Sequence, residues 1–350
     1  MGDLFKDMLS DEESLFTDEF ILDFDYLPDL LPYRENQQAY IAEVIKPMAQ
    51  ERMGKSLFIH GKPGIGKTAC VKYVFNELKE ATGDIRPVFI NCWKKGTTNS
   101  ILTEIAEQLG AMGARYKTNE ELWAKIEKAM ERFKGVVIAL DEVDKAKETD
   151  IFYQALENFK RVSLLLITNS KEFIAEIEPR VKSRMNLEEL EFLPYKRDEM
   201  EGILRERMNA AFVPGVWSEE AFELVVDKAA KKEDTRVGIF LLRETGRNAE
   251  KEASRKIKVE HAMEAVGKVA EFRIESSIDL DEREKNIFEV IKENPGIETG
   301  DLAEALKKRK EEIPDSTVRR LVQRLDKSGY IFREEFVSEK GRTMKHYVDE

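Results

Sequence analysis

The sequence predicts an α/β nucleotide-binding core built on a parallel sheet, followed by an all-helical lid domain and a C-terminal winged helix. Three observations carry this. GKPGIGKT (61–68) stands between a β-type run, SLFIH (56–60), and an amphipathic helical pattern over 68–79. Further apolar runs at 87–92, 136–140 and 163–168 alternate with helical patterns until Pro194, where strand signal stops. The stretch from 280 onward reads as three helices and then two β runs around Glu339-Lys340-Gly341-Arg342.

At 350 residues the chain is long enough for two or three domains. Its expected division is an N-terminal tail (1–30), the core (31–193), the lid (194–276) and the winged helix (277–350). The tail mixes acidic residues with Phe, Leu and Ile, and reads as loosely held with a few apolar anchors. Two cysteines and three scattered histidines exclude a disulfide framework and a His/Cys metal cluster. No apolar run reaches membrane-spanning length and the N-terminus is acidic, so the expectation is a soluble cytoplasmic protein with no membrane partner. A net charge of -12 excludes a generic nucleic-acid coat; DNA binding would have to come from local basic surfaces and be salt-sensitive.

The glycine-rich loop turns successive backbone N–H groups onto a phosphate, with a helix N-terminus beneath. The predicted nucleotide-binding set is Gly61, Lys62, Pro63, Gly64, Ile65, Gly66, Lys67, Thr68 and Ala69. Lys67 reaches the β and γ phosphates of ATP, and Thr68 gives its hydroxyl to Mg²⁺. The run VVIALDEVD (136–144) supplies the second half: Asp141 for Mg²⁺ and Glu142 to polarise the attacking water. Asn169 follows the strand SLLLIT and is either a sensor between γ phosphate and water or a helix cap. Arg180 and Arg184, in the basic segment 177–184, are either arginine-finger candidates for a neighbour's site or a solvated face.

Between 97 and 116 a short helix (Ile101, Ile105, Leu109) ends in a turn at Gly110 and Gly113; Thr118 and Glu121 then open another helix as a capping box. The lid reads as helices over about 197–212, 218–231, 235–251 and 259–275, with Asp234 placed to cap the third. In the last helix of the winged segment, Val318, Leu321, Val322 and Leu325 form a buried stripe. The opposite face carries Ser316, Arg320, Gln323 and Lys327, flanked by Arg319 and Arg324, a donor set for phosphates and guanine edges. Lys340 and Arg342 at the hairpin tip are placed for a minor groove or the backbone. A protein-binding winged helix is the competing interpretation, suggested by Glu311, Glu312, Glu334 and Glu335.

Together these segments resemble the AAA+ ATPases, specifically the archaeal relatives of the origin recognition complex and its cell-division-control partner. LPYRENQ, FINCWK, EPRVKSR with FLPY, and DTRVGIFLLRETGRNAE carry the resemblance, which extends over roughly 31–348. It implies an ATP/ADP switch with slow hydrolysis, binding to origin double-stranded DNA, recruitment of the replicative minichromosome maintenance helicase, and oligomers with paralogues on nucleoid DNA. It also implies Tyr33 and Arg34 beside the adenine, Arg236 as a second sensor reaching phosphate from the lid, and residues 97–118 as an initiator-type insertion that touches DNA. Ser183-Arg184 resembles clamp loaders and eukaryotic origin-recognition subunits instead, which leaves open which arginine acts in trans. Two rival expectations follow: a regulatory ATPase whose winged helix binds protein, and a clamp-loader-like machine.

Overall fold

The computed structural model describes residues 14–159, 161–185, 187–269, 272, 282–309, 313–327, 330–338 and 341–348. They fall into two compact units, one comprising 25–203 with 233–235, the other 14–24 with 204–232 and the described residues from 236 onward.

The first unit is organised by a five-stranded parallel sheet: β1 (Leu57–His60), β2 (Ile85–Asn91), β3 (Gly135–Asp141), β4 (Val162–Thr168) and β5 (Glu188–Glu191), in the order β2-β3-β4-β1-β5. Helices cover both faces, so every residue of β1, β3 and β4 is buried and the strands read as unbroken apolar runs. Side chains alternate between two cores: Phe58, Val136, Ile138, Leu140, Leu164 and Leu166 face one, while Leu57, Ile59, Val137, Ala139, Leu165 and Ile167 face the other. Each Val, Leu, Ile or Phe among them contributes about 1.5–3 kcal/mol by leaving water.

Both sheet edges are guarded. β2 is capped by Gln108, at the end of helix Thr98–Gln108, whose amide accepts from Phe89 N–H (3.0 Å) and donates to Phe89 C=O (2.8 Å). At the other edge β5, which the sequence does not predict, reads EELE, with glutamate at three of its four residues. Its apolar content is too small for a strand signal, yet carboxylates suit an edge, where they deter further pairing. Lys55 and Tyr40 hold Glu188 at 2.7 and 2.8 Å.

Capping boxes open the helices Thr98–Gln108 and Asn119–Met130, the second through Thr118 and Glu121 as expected. Gly110 and Gly113 between them adopt φ +73° and +66°, a conformation that favours glycine.

In the second unit the helices Glu219–Lys232, Thr235–Lys251 and Val259–Val266 bury Phe222, Val225, Leu241, Leu242 and Ala262. Residues 14–24 are strapped onto this helical part, more firmly than the expected tail. Thr17 N–H donates to Ala211 C=O (2.8 Å), Val213 N–H to Leu15 C=O (3.0 Å), and Arg207 to Ile21 C=O (2.7 Å). Leu22 is fully buried. The strap has no regular hydrophobic period, so its apolar residues looked like scattered anchors.

The winged-helix segment comprises helices Glu282–Glu293, Thr299–Lys308 and Asp315–Lys327 and strands β7 (Ile331–Ser338) and β8 (Gly341–Val348) around a core of Phe288, Ile291, Leu302, Leu306, Leu321 and Leu325. A third strand, β6 (Ile297–Glu298), pairs antiparallel with β8. Two residues are too few to leave a period in sequence, so only the preceding Asn294-Pro295-Gly296 turn was readable. No helix among the described residues is long and apolar enough to cross a membrane.

Candidate functional site

The glycine-rich loop joins β1 to helix Lys67–Ala81 at the carboxyl end of the parallel strands, where open α/β sheets place ligands. Gly64 and Gly66 take φ of +71° and +88°. A Cβ on Gly64 would lie 1.8 Å from an oxygen of Asp234, and one on Gly66 would lie 2.8 Å from the Tyr195 hydroxyl, so both positions need glycine twice over. Residues 233–235 close on the loop: Glu233 pairs with Lys62, and Thr235 N–H donates to Gly64 C=O at 3.0 Å.

Lys67 is buried and its ammonium is drawn in by three oxygens: Gly61 C=O (2.8 Å), Lys62 C=O (2.6 Å) and Asn169 Oδ1 (2.8 Å). Thr68 donates its hydroxyl to Asp141 Oδ2 at 2.9 Å. Three strand ends, β1 through the loop, β3 and β4, thus meet around one point. Burial holds the Asp141 carboxyl above its ordinary range, opposed by the Thr68 hydroxyl, the Glu142 N–H and the Lys67 charge. Cys92, pushed up to about 12 by burial and then by Asp141, Asp144 and Glu142, registers the same negative field. A hydroxyl beside a buried carboxylate fits a hard divalent cation, which would supply the positive charge that burial otherwise denies Asp141.

Glu142 occupies a left-handed backbone conformation, φ +52°, rare for a non-glycine residue and expected where a strand end is bent to aim a side chain. Its Oε2 accepts from Asn91 Nδ2 at 3.2 Å, while Asn91 Oδ1 accepts from Trp93 N–H and Lys94 N–H at 3.0 and 3.2 Å. Asn91 is not among the residues expected from the sequence, although it carries the same signal as Asn169: a polar residue closing an apolar parallel strand.

Arg34 is also buried, but its guanidinium is engaged by protein. Nη2 donates to Ile65 C=O (3.0 Å) and Leu193 C=O (2.7 Å), and the group lies 3.8 Å over the Tyr195 ring. It braces the phosphate loop. Tyr33 beside it has φ +63°, is 40% exposed and sets its hydroxyl against Gly202, where a Cβ would lie 2.2 Å away.

Arg180 and Arg184 are exposed on helix Pro179–Met185. Arg180 pairs with Glu178 (2.8 Å) and more loosely with Asp150 (3.6 Å); Arg184 reaches Leu156 C=O only at 3.5 Å. Arg236 lies in the first turn of helix Thr235–Lys251. On helix Asp315–Lys327, Val318, Leu321, Val322 and Leu325 are buried while Ser316, Arg319, Arg320, Gln323 and Arg324 are exposed. Lys327 ends that helix and Arg342 stands near the start of β8; Lys340 lies outside the described residues.

Family models match three stretches: an AAA domain over residues 51–175, a Cdc6 AAA+ ATPase-type lid domain over 201–267, and a winged helix-turn-helix DNA-binding domain over 280–331. The chain is 34% identical over 263 residues to ORC1-type DNA replication protein 1 of Sulfurisphaera tokodaii, a match covering 72% of this chain and 66% of that one. It is 31% identical over 320 residues to the Archaeoglobus fulgidus protein of the same name, covering 85% and 78%. Among solved structures it resembles the Aeropyrum pernix ORC1 protein in complex with DNA, at TM-score 0.75 and 28% identity over 97% of this chain and 94% of that one. Cdc6p from Pyrobaculum aerophilum, at TM-score 0.66 and 20% identity over 95% and 94%, shares the fold.

Proposed function

Because this chain belongs to the ORC1-type DNA replication proteins, we propose that it is an ATP-dependent replication initiator that binds origin double-stranded DNA and helps recruit the replicative minichromosome maintenance helicase. ATP hydrolysis is slow and serves as a switch between states of the bound protein. Support for the nucleotide half comes from the meeting of Lys67 with Asn169 and of Thr68 with Asp141 at adjoining strand ends. In this reading the backbone of 61–69 binds the phosphates, Lys67 offsets their charge, Asn169 orients the attacking water and Glu142 polarises it. Thr68 and Asp141 would hold Mg²⁺, which when bound neutralises phosphate charge. Tyr33 flanks the base, Arg34 acts from behind the loop, and Arg236 is the second sensor.

Support for the DNA half comes from the exposed donor face of helix Asp315–Lys327 and from the complex of Aeropyrum ORC1 with DNA; Lys340 and Arg342 join that face as proposed contacts. Residues 97–118 contribute a second DNA contact. Met112 and Tyr116 at its turn are 91% and 103% exposed, apolar surface available to a groove. Arg180 or Arg184 completes the site of a neighbouring copy or paralogue on nucleoid DNA, and a lone subunit is slow for lack of that charge.

The test is an anisotropy titration of the full chain against duplex from its neighbouring intergenic DNA, with ATP and with ADP, across a salt series. Nucleotide-dependent binding with a steep negative salt slope is expected. Failure to retain adenine nucleotide, or indifference to duplex at low ionic strength, would overturn the reading; a protein-binding winged helix gives no slope.

A further inference from the structure

The backbone ladder between β3 and β4 runs from Val136 opposite Val162 to Leu140 opposite Leu166. The register between these two strands stops at that pair, and three residues placed in the hydrolytic machinery lie beyond it: Asp141 at the end of β3, Glu142 just after it, and Asn169 just after β4. Each end is paired on its outer side, Thr168 with His60 of β1 and Asp141 with Asn91 of β2, so what remains to be held is the position of one end against the other.

The structure supplies a side-chain contact at that point. Thr168, 1% exposed, donates its hydroxyl to Asp144 Oδ1 at 2.7 Å. The same Thr168 oxygen accepts from Ser170 N–H at 3.0 Å, which turns the chain immediately after Asn169. Asp144 is itself held: its Oδ2 lies 3.2 Å from Lys145 Nζ, and its short 3-10 turn, Val143–Lys145, is closed by Lys145 N–H on Glu142 C=O at 2.9 Å. The contact is a charge-assisted bond between a hydroxyl and a carboxylate, short and of the stronger class. It therefore runs from the turn that carries Glu142 to the turn that carries Asn169, whose Oδ1 takes the Lys67 ammonium at 2.8 Å.

We propose that Asp144 and Thr168 form a cross-tie that fixes Asn169 relative to Glu142, making both positioning residues for ATP hydrolysis; this rests on the ATPase reading above. Neither side chain need touch nucleotide. The tie acts on geometry, and a displacement of about 1 Å in a reacting group is enough to cost of order 100-fold in rate.

The experiment compares the full-length protein with Thr168→Val, Thr168→Ser and Asp144→Ala, using Glu142→Gln as the hydrolysis-dead background. Valine keeps the shape of threonine and removes the hydroxyl; serine keeps the hydroxyl. Single-turnover hydrolysis should fall about 10- to 100-fold in Thr168→Val and Asp144→Ala. The Kd for a non-hydrolysable ATP analogue should stay within about threefold of wild type, and Thr168→Ser should recover most of the rate. Hydrogen exchange over 167–172, read without nucleotide, should show the Ser170 amide protected in wild type and Thr168→Ser, fast in Thr168→Val, and faster than wild type in Asp144→Ala, which keeps the Thr168 oxygen and removes only the tie. Wild-type turnover in Thr168→Val, equal loss of analogue binding and rate, or failure of serine to restore either readout would overturn the proposal. Wild-type protein without turnover would sink the ATPase reading, and the tie would then stand or fall on the Ser170 exchange.

Discussion

Asn91 holds Glu142. Its side-chain amide donates to the glutamate carboxylate at 3.2 Å, and its own oxygen is pinned by the N–H groups of Trp93 and Lys94. Asn91 and Asp141 are opposite one another in the β2–β3 ladder, so the strand carrying the metal-ligand candidate also fixes the group that restrains the candidate base. A hydrogen bond to a carboxylate stabilises it by about 1.5–3 kcal/mol and must break before the group swings elsewhere. Asn91→Ala should therefore raise single-turnover hydrolysis without DNA about tenfold and leave ATP affinity unchanged. A lower rate would mean that the contact aims Glu142 for reaction.

Arg34 braces the phosphate loop from behind, through Ile65 C=O and Leu193 C=O. Arg34→Leu leaves two carbonyls without their donor and empties the space above Tyr195. The expected cost is roughly 3 kcal/mol of stability, with weaker ATP binding. Thermal melts with and without ADP check this: the deficit should persist when nucleotide is saturating, because the brace does not depend on ligand. A melt unchanged from wild type would leave Arg34 to a role at the base.

How much of this was legible beforehand differs by element. The loop at 61–68, the aspartate-glutamate pair and Asn169 follow from local rules, because a glycine pattern or a polar strand tip fixes its own geometry. Gln108 sealing β2, Asp234 under Gly64, and Arg34 reaching Leu193 bring together residues 19, 170 and 159 positions apart, and no local pattern encodes such pairs. β5 was hidden for another reason. Its strand state comes from pairing with β1, which overrides the weak strand preference of glutamate.

Two arginines of the helix Asp315–Lys327 should behave differently although both are exposed. Arg320 lies on the donor face, and Arg320→Ala should weaken duplex binding and reduce the magnitude of the salt slope by about one, with no change in Tm. Arg324 is 3.3 Å from the carboxylate of Glu284, a residue with 0% exposure. Arg324→Ala removes a counter-charge from a buried carboxylate, so Tm should fall, and Glu284→Gln in the same chain should restore part of it. Anisotropy and calorimetry on both variants separate the roles; equal effects on Tm would contradict the assignment.

His346 should contribute to the pH response of the winged segment. Its ring is buried in β8, with Nε2 2.9 Å from Thr299 Oγ1 and Nδ1 without a hydrogen-bond partner among the described residues. Burial, followed by the Arg333 charge, lowers its pKa below the ordinary 6.5, with Asp326 acting the other way. This ring then carries less of its proton in the folded protein than in the unfolded chain between the lowered value and 6.5. Stability should be full above 6.5, decline as pH falls through the folded pKa, and level off below it. Calorimetry from pH 7.5 to 5.0 on wild type and His346→Gln checks this, because glutamine can still meet Thr299 but does not titrate. The variant should show a shallower decline over that range. An equal decline in both would assign the acid sensitivity to carboxylates elsewhere in the chain.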